Sequence, residues 1–404
     1  MKRILFMAGL AVLLSSYKQP EGMKSVVERG LSRSVEQAEY LAKSMESDND
    51  SLPRSYTERI GLIKSNSHWW CSGFFPGVLW YLYEAKGSPK LKRYAEIYTQ
   101  RVADQQYTTD NHDVGFILMC SFGNGYRLTK TPSYVPILLN GAQSLSTRFK
   151  PVVGLIRSWD TKTDKWRYPV IIDNMMNLEL LEWAAQHSDS TKFAKIASSH
   201  AKLTMKNHFR KDFSSYHVIG YDPETGQVEK RNTHQGYAHE SAWARGQAWG
   251  LYGYTMMFRE TGDSSYLHHA KGIARFIMSH PNMPKDKVPY WDFNAPDIPH
   301  AKRDASAAAI MASAFIELST LTKEEPDFSK QCLNMAEMQL RSLTSAQYLA
   351  KKGTNGGFIL MHSVGNLPKG TEVDVPLTYA DYYYVEALVR YKKMVLGTLK
   401  GTKN

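Results

Sequence analysis

The chain has 404 residues, 43% of them hydrophobic, three cysteines and a formal net charge of +11. That length and apolar content allow a sizeable core, and Cys71, Cys120 and Cys332 are too few and too scattered for a disulfide framework or a metal-ligand set. The excess of Lys and Arg favours an anionic partner, yet it is spread along the chain with no arginine-rich arm or nucleic-acid motif, which argues against nucleic acid.

Residues 1–20 read as a secretory signal peptide. Lys2 and Arg3 precede the apolar run from Ile4 to Leu14, and small residues follow. Export, to the periplasm of a bacterium, is expected. Tyr17 stands where a lipoprotein signal carries its cysteine, which argues against lipid anchoring. No transmembrane segment is expected: the leader run is too short to span.

Residues 21–404 read as a single unit. Apolar periodicity predicts helices over 24–47, 78–84, 90–105, 113–126 and 134–148. A strand hairpin is expected from 152–159 and 165–172, joined by the turn-like stretch 160–164. Helices over 174–186 and 191–209 come next. A second hairpin, 216–221 with 227–231, flanks Asp222-Pro-Glu-Thr-Gly226. Five further helices are predicted over 241–260, 265–279, 305–321, 328–344 and 379–395. Mostly apolar helices alternate with charged ones across short turns, as a double ring requires. The expected class is all-α: an (α/α)6 barrel of six helical hairpins with small β-hairpins inserted at the pocket end. A stack of helical repeats is the alternative.

Two aspartates stand at predicted starts of apolar helices. Asp113 follows Asn111 and His112, and Asp173 closes the run from Tyr168 and is followed by Asn174 and Asn177. Aspartate is a favoured N-cap, so capping competes with chemistry at both. A helix start holds a carboxylate ionised, whereas a neighbouring carboxylate and apolar enclosure raise its pKa toward that of a general acid. The expectation is that one Asp carries a proton and the other sets its environment. A second dense stretch runs from Glu240 to Tyr252. Arg245 there suits a bidentate carboxylate clamp, and Trp243 and Trp249 suit stacking on sugar faces; an ordinary core helix competes. His234 and Gln235 lie in a polar loop, and His217 reads as a strand residue. Asp304 and Asp381 read as caps. No HExxH pair, nucleophile elbow or phosphate loop is present, so no metal and no cofactor are expected.

The stretches Trp70–Gly77, His112–Phe116, Ile171–Asn177 and Trp243–Gly250, in that order, resemble glycoside hydrolase family 88, the unsaturated glucuronyl hydrolases. The resemblance implies removal of a 4,5-unsaturated uronic acid from the non-reducing end of lyase-generated glycosaminoglycan oligosaccharides. The substrate partner would be an unsaturated anionic oligosaccharide. In family terms Asp173 matches the general acid/base that protonates C4 and activates the water adding at C5, and Asp113 the second essential Asp. By the same matching Trp70, His112, Trp159, His217, Gln235, Trp243, Arg245 and Trp249 line the uronate subsite. Ser363 and Lys369 fall where some members recognise sulfate. A related family acting on unsaturated rhamnogalacturonan shares the barrel and the aspartate pair. A non-catalytic acidic-glycan-binding protein and an inverting glycosidase on saturated glycosides are the other readings.

Overall fold

The computed structural model describes residues 21–160 and 165–399; the leader 1–20 and positions 161–164 of the expected turn lie outside the described residues. Helix α1 (Met23–Ser44) precedes a strand pair, β1 (Leu52–Thr57) and β2 (Gly61–Ser65). Then come α2 (Phe74–Lys86), α3 (Pro89–Gln100), α4 (Val114–Leu118), α5 (Asn124–Thr129) and α6 (Tyr134–Ser146). A π turn, Met119–Gly123, joins α4 to α5, so the predicted 113–126 helix is one rod with a bulge. Short strands β3 (Phe149–Lys150) and β4 (Leu155–Ile156) lead to β5 (Tyr168–Ile171), and a 3₁₀ turn, Ile172–Asn177, leads into α7 (Leu178–Gln186). After α8 (Lys192–His208) come β6 (Val218–Tyr221), β7 (Val228–Asn232), α9 (Ala244–Thr261) and α10 (Ser264–Ser279). The chain continues through α11 (Ala305–Leu321), α12 (Pro326–Leu343), β8 (Ser363–Asn366), β9 (Thr371–Val375) and α13 (Thr378–Arg390).

The helices form two concentric rings. In the inner one α2, α4–α5, α7, α9, α11 and α13 each pack on the next, and α13 returns to α2. Outside them α3, α6, α8, α10 and α12 back the preceding inner helix, and α1 packs on α13, α2 and α12 to seal the seam. Composition sorts the rings. Inner α11 is buried at every position from Ala305 to Ser319, so it carries no solvent stripe. Outer α12 buries one stripe (Phe328, Cys332, Met335, Ala336, Gln339, Leu340, Leu343) and turns its charged residues outward. The barrel expectation holds.

The strands depart from it. Tyr168–Ile171 does not pair with the preceding segment: β5 pairs with β6, and β6 with β7, in one three-stranded sheet. The cause is burial. All four residues of β5 and of β6 are buried, so each needs a partner away from water on both faces. Segment 152–159 instead gives two residues to a β3–β4 pair and meets β5 without a ladder: the Ser158 N–H donates to the Pro169 carbonyl at 2.9 Å, and the Tyr168 hydroxyl to the Leu155 carbonyl at 2.8 Å. The pairs β1–β2 and β8–β9 were not anticipated.

Candidate active site

The inner helices begin around one pocket. Trp70 precedes α2, Asp113 sits directly before α4, Asp173 lies in the turn leading into α7, and Arg245 is in the first turn of α9. Asp304 precedes α11, and Tyr379 opens α13. The rings of Trp70 and Tyr379 lie 4.8 Å apart, and Trp70 stands edge-on to Phe116 at 5.7 Å, which closes the circle of helix starts.

The two aspartates are brought together by a backbone contact. A Cβ on Gly115 would lie 2.5 Å from the Asn177 Cα, closer than any side chain tolerates. The Phe116 N–H donates to Asn177 Oδ1 at 2.7 Å across the same contact. Gly115→Ala is therefore expected to push α4 off the 172–177 turn, destabilise the fold by about 1–3 kcal/mol and separate the carboxylates. Urea unfolding and residual activity per folded molecule check this; an Ala variant with wild-type values in both would refute the contact's importance.

Capping does not account for either aspartate. Asp113 occupies the N-cap position of α4 but makes no side-chain capping bond, and Asp173 Oδ2 is buried with no hydrogen-bond partner among the described residues. Asp304 and Asp263, in contrast, accept the Ser306 and Ser265 N–H at 3.0 Å, as caps do. The cap reading of Asp304 holds. That of Asp381 does not: its carboxylate accepts the Ile359 and Leu360 N–H at 2.8 Å each, and burial pushes it up to about 8.

Burial dominates the electrostatics of the pair. It pushes Asp173 up to about 6, with the Arg245 charge and a smaller contribution from Trp249 working against the rise. Asp113 is pushed well above the usual carboxylate range, by burial first and then by the Asp173 charge, with Arg148 opposing. Both carboxyls are thus held toward the protonated form, and Asp173 exchanges its proton near neutrality.

Both neighbouring histidines are neutral. His217 Nδ1 accepts the backbone N–H groups of His234 and Gln235, each at 3.1 Å. The ring proton therefore sits on Nε2, which lies 3.7 Å from Asp173 Oδ2. Burial and nearby positive groups hold His217 well below its ordinary value. His112 Nε2 lies 3.5 Å from Asp113 Oδ1, and burial pushes that ring down to about 3.

Trp243 packs on His217 with ring centroids 4.4 Å apart, and Trp159 stands 6.5 Å from the His112 ring. Gln235 Nε2 donates to the Gly365 carbonyl at 3.0 Å. Thus Trp70, His112, Asp113, Trp159, Asp173, His217, Gln235 and Trp243 gather at one end of the barrel. Three sequence assignments need correction. Arg245 is fully buried and its end is occupied, because Nη1 donates to Asp304 at 3.2 Å and to the Val364 carbonyl, and Nη2 to the Gly365 carbonyl at 2.7 Å; among the described residues only its buried Nε lacks a partner. Trp249 presents no face for stacking: it is fully buried between Phe116 and Tyr383. Ser363 is fully buried beneath its hairpin and offers no surface to a sulfate, whereas Lys369 is exposed.

Sequence reasoning missed the second role of Asp304, beyond its cap, and the place of His234 between Trp159 and Trp166, 5.7 and 6.0 Å away. Nothing in local spacing signals either, since the partners lie far apart in the chain.

The geometry agrees with three comparisons. A curated relative from Formosa agariphila, an unsaturated glucuronyl hydrolase, is 46% identical over 86% of this chain and 86% of its own length. Another unsaturated glucuronyl hydrolase, from Bacillus sp. (strain GL1), is 31% identical over 88% of this chain and 95% of its own. The crystal structure of an unsaturated glucuronyl hydrolase specific for heparin superposes with a TM-score of 0.88 at 47% identity, covering 92% of this chain and 99% of that one. The sequence profile of Glycosyl Hydrolase Family 88 matches residues 44–271, more than half of the chain, and the chain belongs to that family.

Proposed function

We propose that this glycosidase removes a 4,5-unsaturated uronic acid from the non-reducing end of glycosaminoglycan fragments left by polysaccharide lyases. The observation that carries the reading is the pair of buried carboxylates at Asp113 and Asp173, unused as caps and both held toward the protonated form. A binding protein has no use for such a pair, because a carboxyl held toward its protonated form near neutrality suits proton transfer and adds nothing to holding an anion. The relatives' substrates point the same way. One solved relative is specific for heparin, and a relative from Streptococcus pyogenes, 34% identical, is an unsaturated chondroitin disaccharide hydrolase. Lys369 and Lys165 act electrostatically on His234, so positive charge stands at the pocket rim, which suits a sulfated or carboxylated second sugar.

In this mechanism Asp173 delivers its proton to C4 of the vinyl ether. It then takes a proton from the water whose oxygen bonds to C5. One water is added across the double bond, the C5 hemiketal opens the ring, and the aglycone leaves from C1 with its oxygen. Asp113, held toward its protonated form, positions the ring, while burial keeps the Asp173 proton affinity high. His217 directs an N–H toward Asp173 and stabilises its ionised form after the first transfer. Trp70, Trp159 and Trp243 enclose the ring, and the desolvation they provide sustains the raised pKa values.

The test is the ultraviolet absorbance of the double bond, followed with unsaturated disaccharides from chondroitin, heparin and hyaluronan and from rhamnogalacturonan. Loss of signal with a glycosaminoglycan disaccharide supports the reading. Loss with the rhamnogalacturonan product alone would move the chain to the related activity, and no loss with any would end it. Because the acid must be protonated, kcat/KM is expected to hold steady in acid and fall about tenfold per pH unit above about 6. The limb in kcat should lie at higher pH, since a bound uronate adds negative charge beside Asp173. A flat profile between about pH 5 and about pH 8 would remove Asp173 as the titrating acid.

A further inference from the structure

The Arg245 guanidinium spans two parts of the pocket. It lies 4.5 Å over the Trp243 ring on one side and donates to the backbone of the β8–β9 hairpin on the other. Its anionic partner is Asp304, which is fully buried and 3.2 Å away. Asp304 does more than balance this charge. Its Oδ1 accepts the Ser306 N–H at 3.0 Å, the Ser306 hydroxyl at 2.6 Å and the Val364 N–H at 3.3 Å. Asp304 and Arg245 therefore grip the same hairpin strand, one through its N–H and the other through two carbonyls.

The gripped hairpin is under backbone strain. His362, Glu372 and Asp374 all have positive φ, at 65°, 55° and 59°. Gly365 must lack a side chain, because a Cβ would stand 2.6 Å from the Glu372 Cβ on the facing strand. Conformations of this kind persist only when their surroundings over-determine them, and they concentrate at functional sites. Ion pairs hold the outer arms: Arg54 to Glu372 at 2.6 Å and Lys302 to Asp374 at 2.8 Å. The inner edge is held by Asp304, Arg245 and Gln235.

We propose that Asp304 is a positioning residue of this active site: by anchoring Arg245 and the Val364 N–H it fixes the β8–β9 hairpin as a pocket wall and sets how strongly the Arg245 charge bears on Asp173. This rests on the hydratase reading above. The charged and titratable groups facing Asp173 are Asp113 from the α4 side, His217 from β6 and Arg245 from α9. Asp304 reaches it through Arg245, on which the Asp304 and Asp173 charges both act. With Asp304 neutral, the Arg245 charge is uncompensated and favours ionised Asp173. With Arg245 neutral, the opposite holds.

The experiment pairs Asp304→Asn with Arg245→Gln. For each, the Asp173 carboxyl titration is followed by carbon NMR, and the alkaline limb of kcat/KM by double-bond absorbance. Asp304→Asn is expected to move both to lower pH by about half a unit or more, and Arg245→Gln to move both to higher pH. Both variants should raise KM, because the wall loses its inner anchor. Ser306→Ala removes a hydroxyl donor from Asp304 but leaves the Asp304–Arg245 pair, and it should not move the titration. Shifts of the same sign in the two variants, or no shift in folded protein, overturn the proposal. Should Asp304→Asn fail to fold, the Arg245→Gln titration decides alone, with an unmoved or downward shift overturning it. The NMR titration needs no substrate, so a wild type inactive on every unsaturated disaccharide would defeat the hydratase reading without deciding this one.

Discussion

Asp173→Asn yields a folded protein that consumes the double bond at least ~10³-fold more slowly than wild type. The amide keeps the shape of the carboxyl group and cannot carry the proton. The same variant should be more stable than wild type at pH 8. The Asp173 pKa is raised to about 6 on folding, so between the unfolded value and about 6 the native state binds the extra proton. Stability therefore declines as pH rises through that window and stays reduced above it. Asn escapes the decline, which amounts to at most about 3 kcal/mol. Urea unfolding of both proteins at about pH 8 and about pH 4 separates the two contributions. A gain at the higher pH that vanishes at the lower one identifies the buried charge. Equal stability at both would show that Asp173 ionises at an ordinary pH and would remove the basis for its role as acid.

The second large effect is at the other end of the barrel, where the inner helices finish around a cavity of about 540 Å³. Buried Glu317 on α11 accepts Arg259 from α9 at 2.7 Å and Arg390 from α13 at 2.9 Å. Arg259 reaches on to Glu179 of α7 at 2.6 Å. Arg390 donates to the Tyr252 hydroxyl at 2.8 Å, and Glu386 gathers the hydroxyls of Tyr81, Tyr252 and Ser313. Five of the six inner helices are joined by this network. Glu317→Ala leaves Arg259 and Arg390 without their shared partner in a water-poor setting, and a loss of about 3–5 kcal/mol is expected. The folded fraction should keep wild-type kcat, since the change lies far from the catalytic pair. Thermal unfolding and activity per folded molecule check this, and a loss below about 1 kcal/mol would show that water already screens the network.

The double ring is legible in the sequence because burial on all sides and burial on one side leave different compositions. Ala305 to Leu321 has no charge except Glu317, and that exception marks a buried ion pair. Strand pairing was less legible. The stretch 160–164 signals a local turn, but β5 needed a partner as buried as itself and found it some fifty residues on, at Val218–Tyr221. The aspartates could be located but not distinguished from caps. Caps and catalytic carboxylates share a helix-start position, and only the hydrogen-bond partner separates Asp304 from Asp113. Arg245 shows the complementary limit. Its position beside two tryptophans suggested a substrate clamp, while its actual acceptors lie 59, 119 and 120 residues away.

The seam between α1 and α13 bears on how the molecule assembles. Five inner–outer pairs are neighbours in sequence and form early from local contacts. The sixth joins the two ends of the described chain, where Glu28 meets Lys392 at 2.9 Å and the Thr344 and Tyr384 hydroxyls bond at 2.8 Å beneath α1. Closing so long a loop adds only about 0.6 kcal/mol per doubling of its length, so the seam is thermodynamically cheap but kinetically last. During synthesis α1 can pack on α2 once that helix emerges, but the part of its apolar stripe that faces α12 and α13 stays uncovered until they follow, and that interval is when a holding chaperone has most to protect.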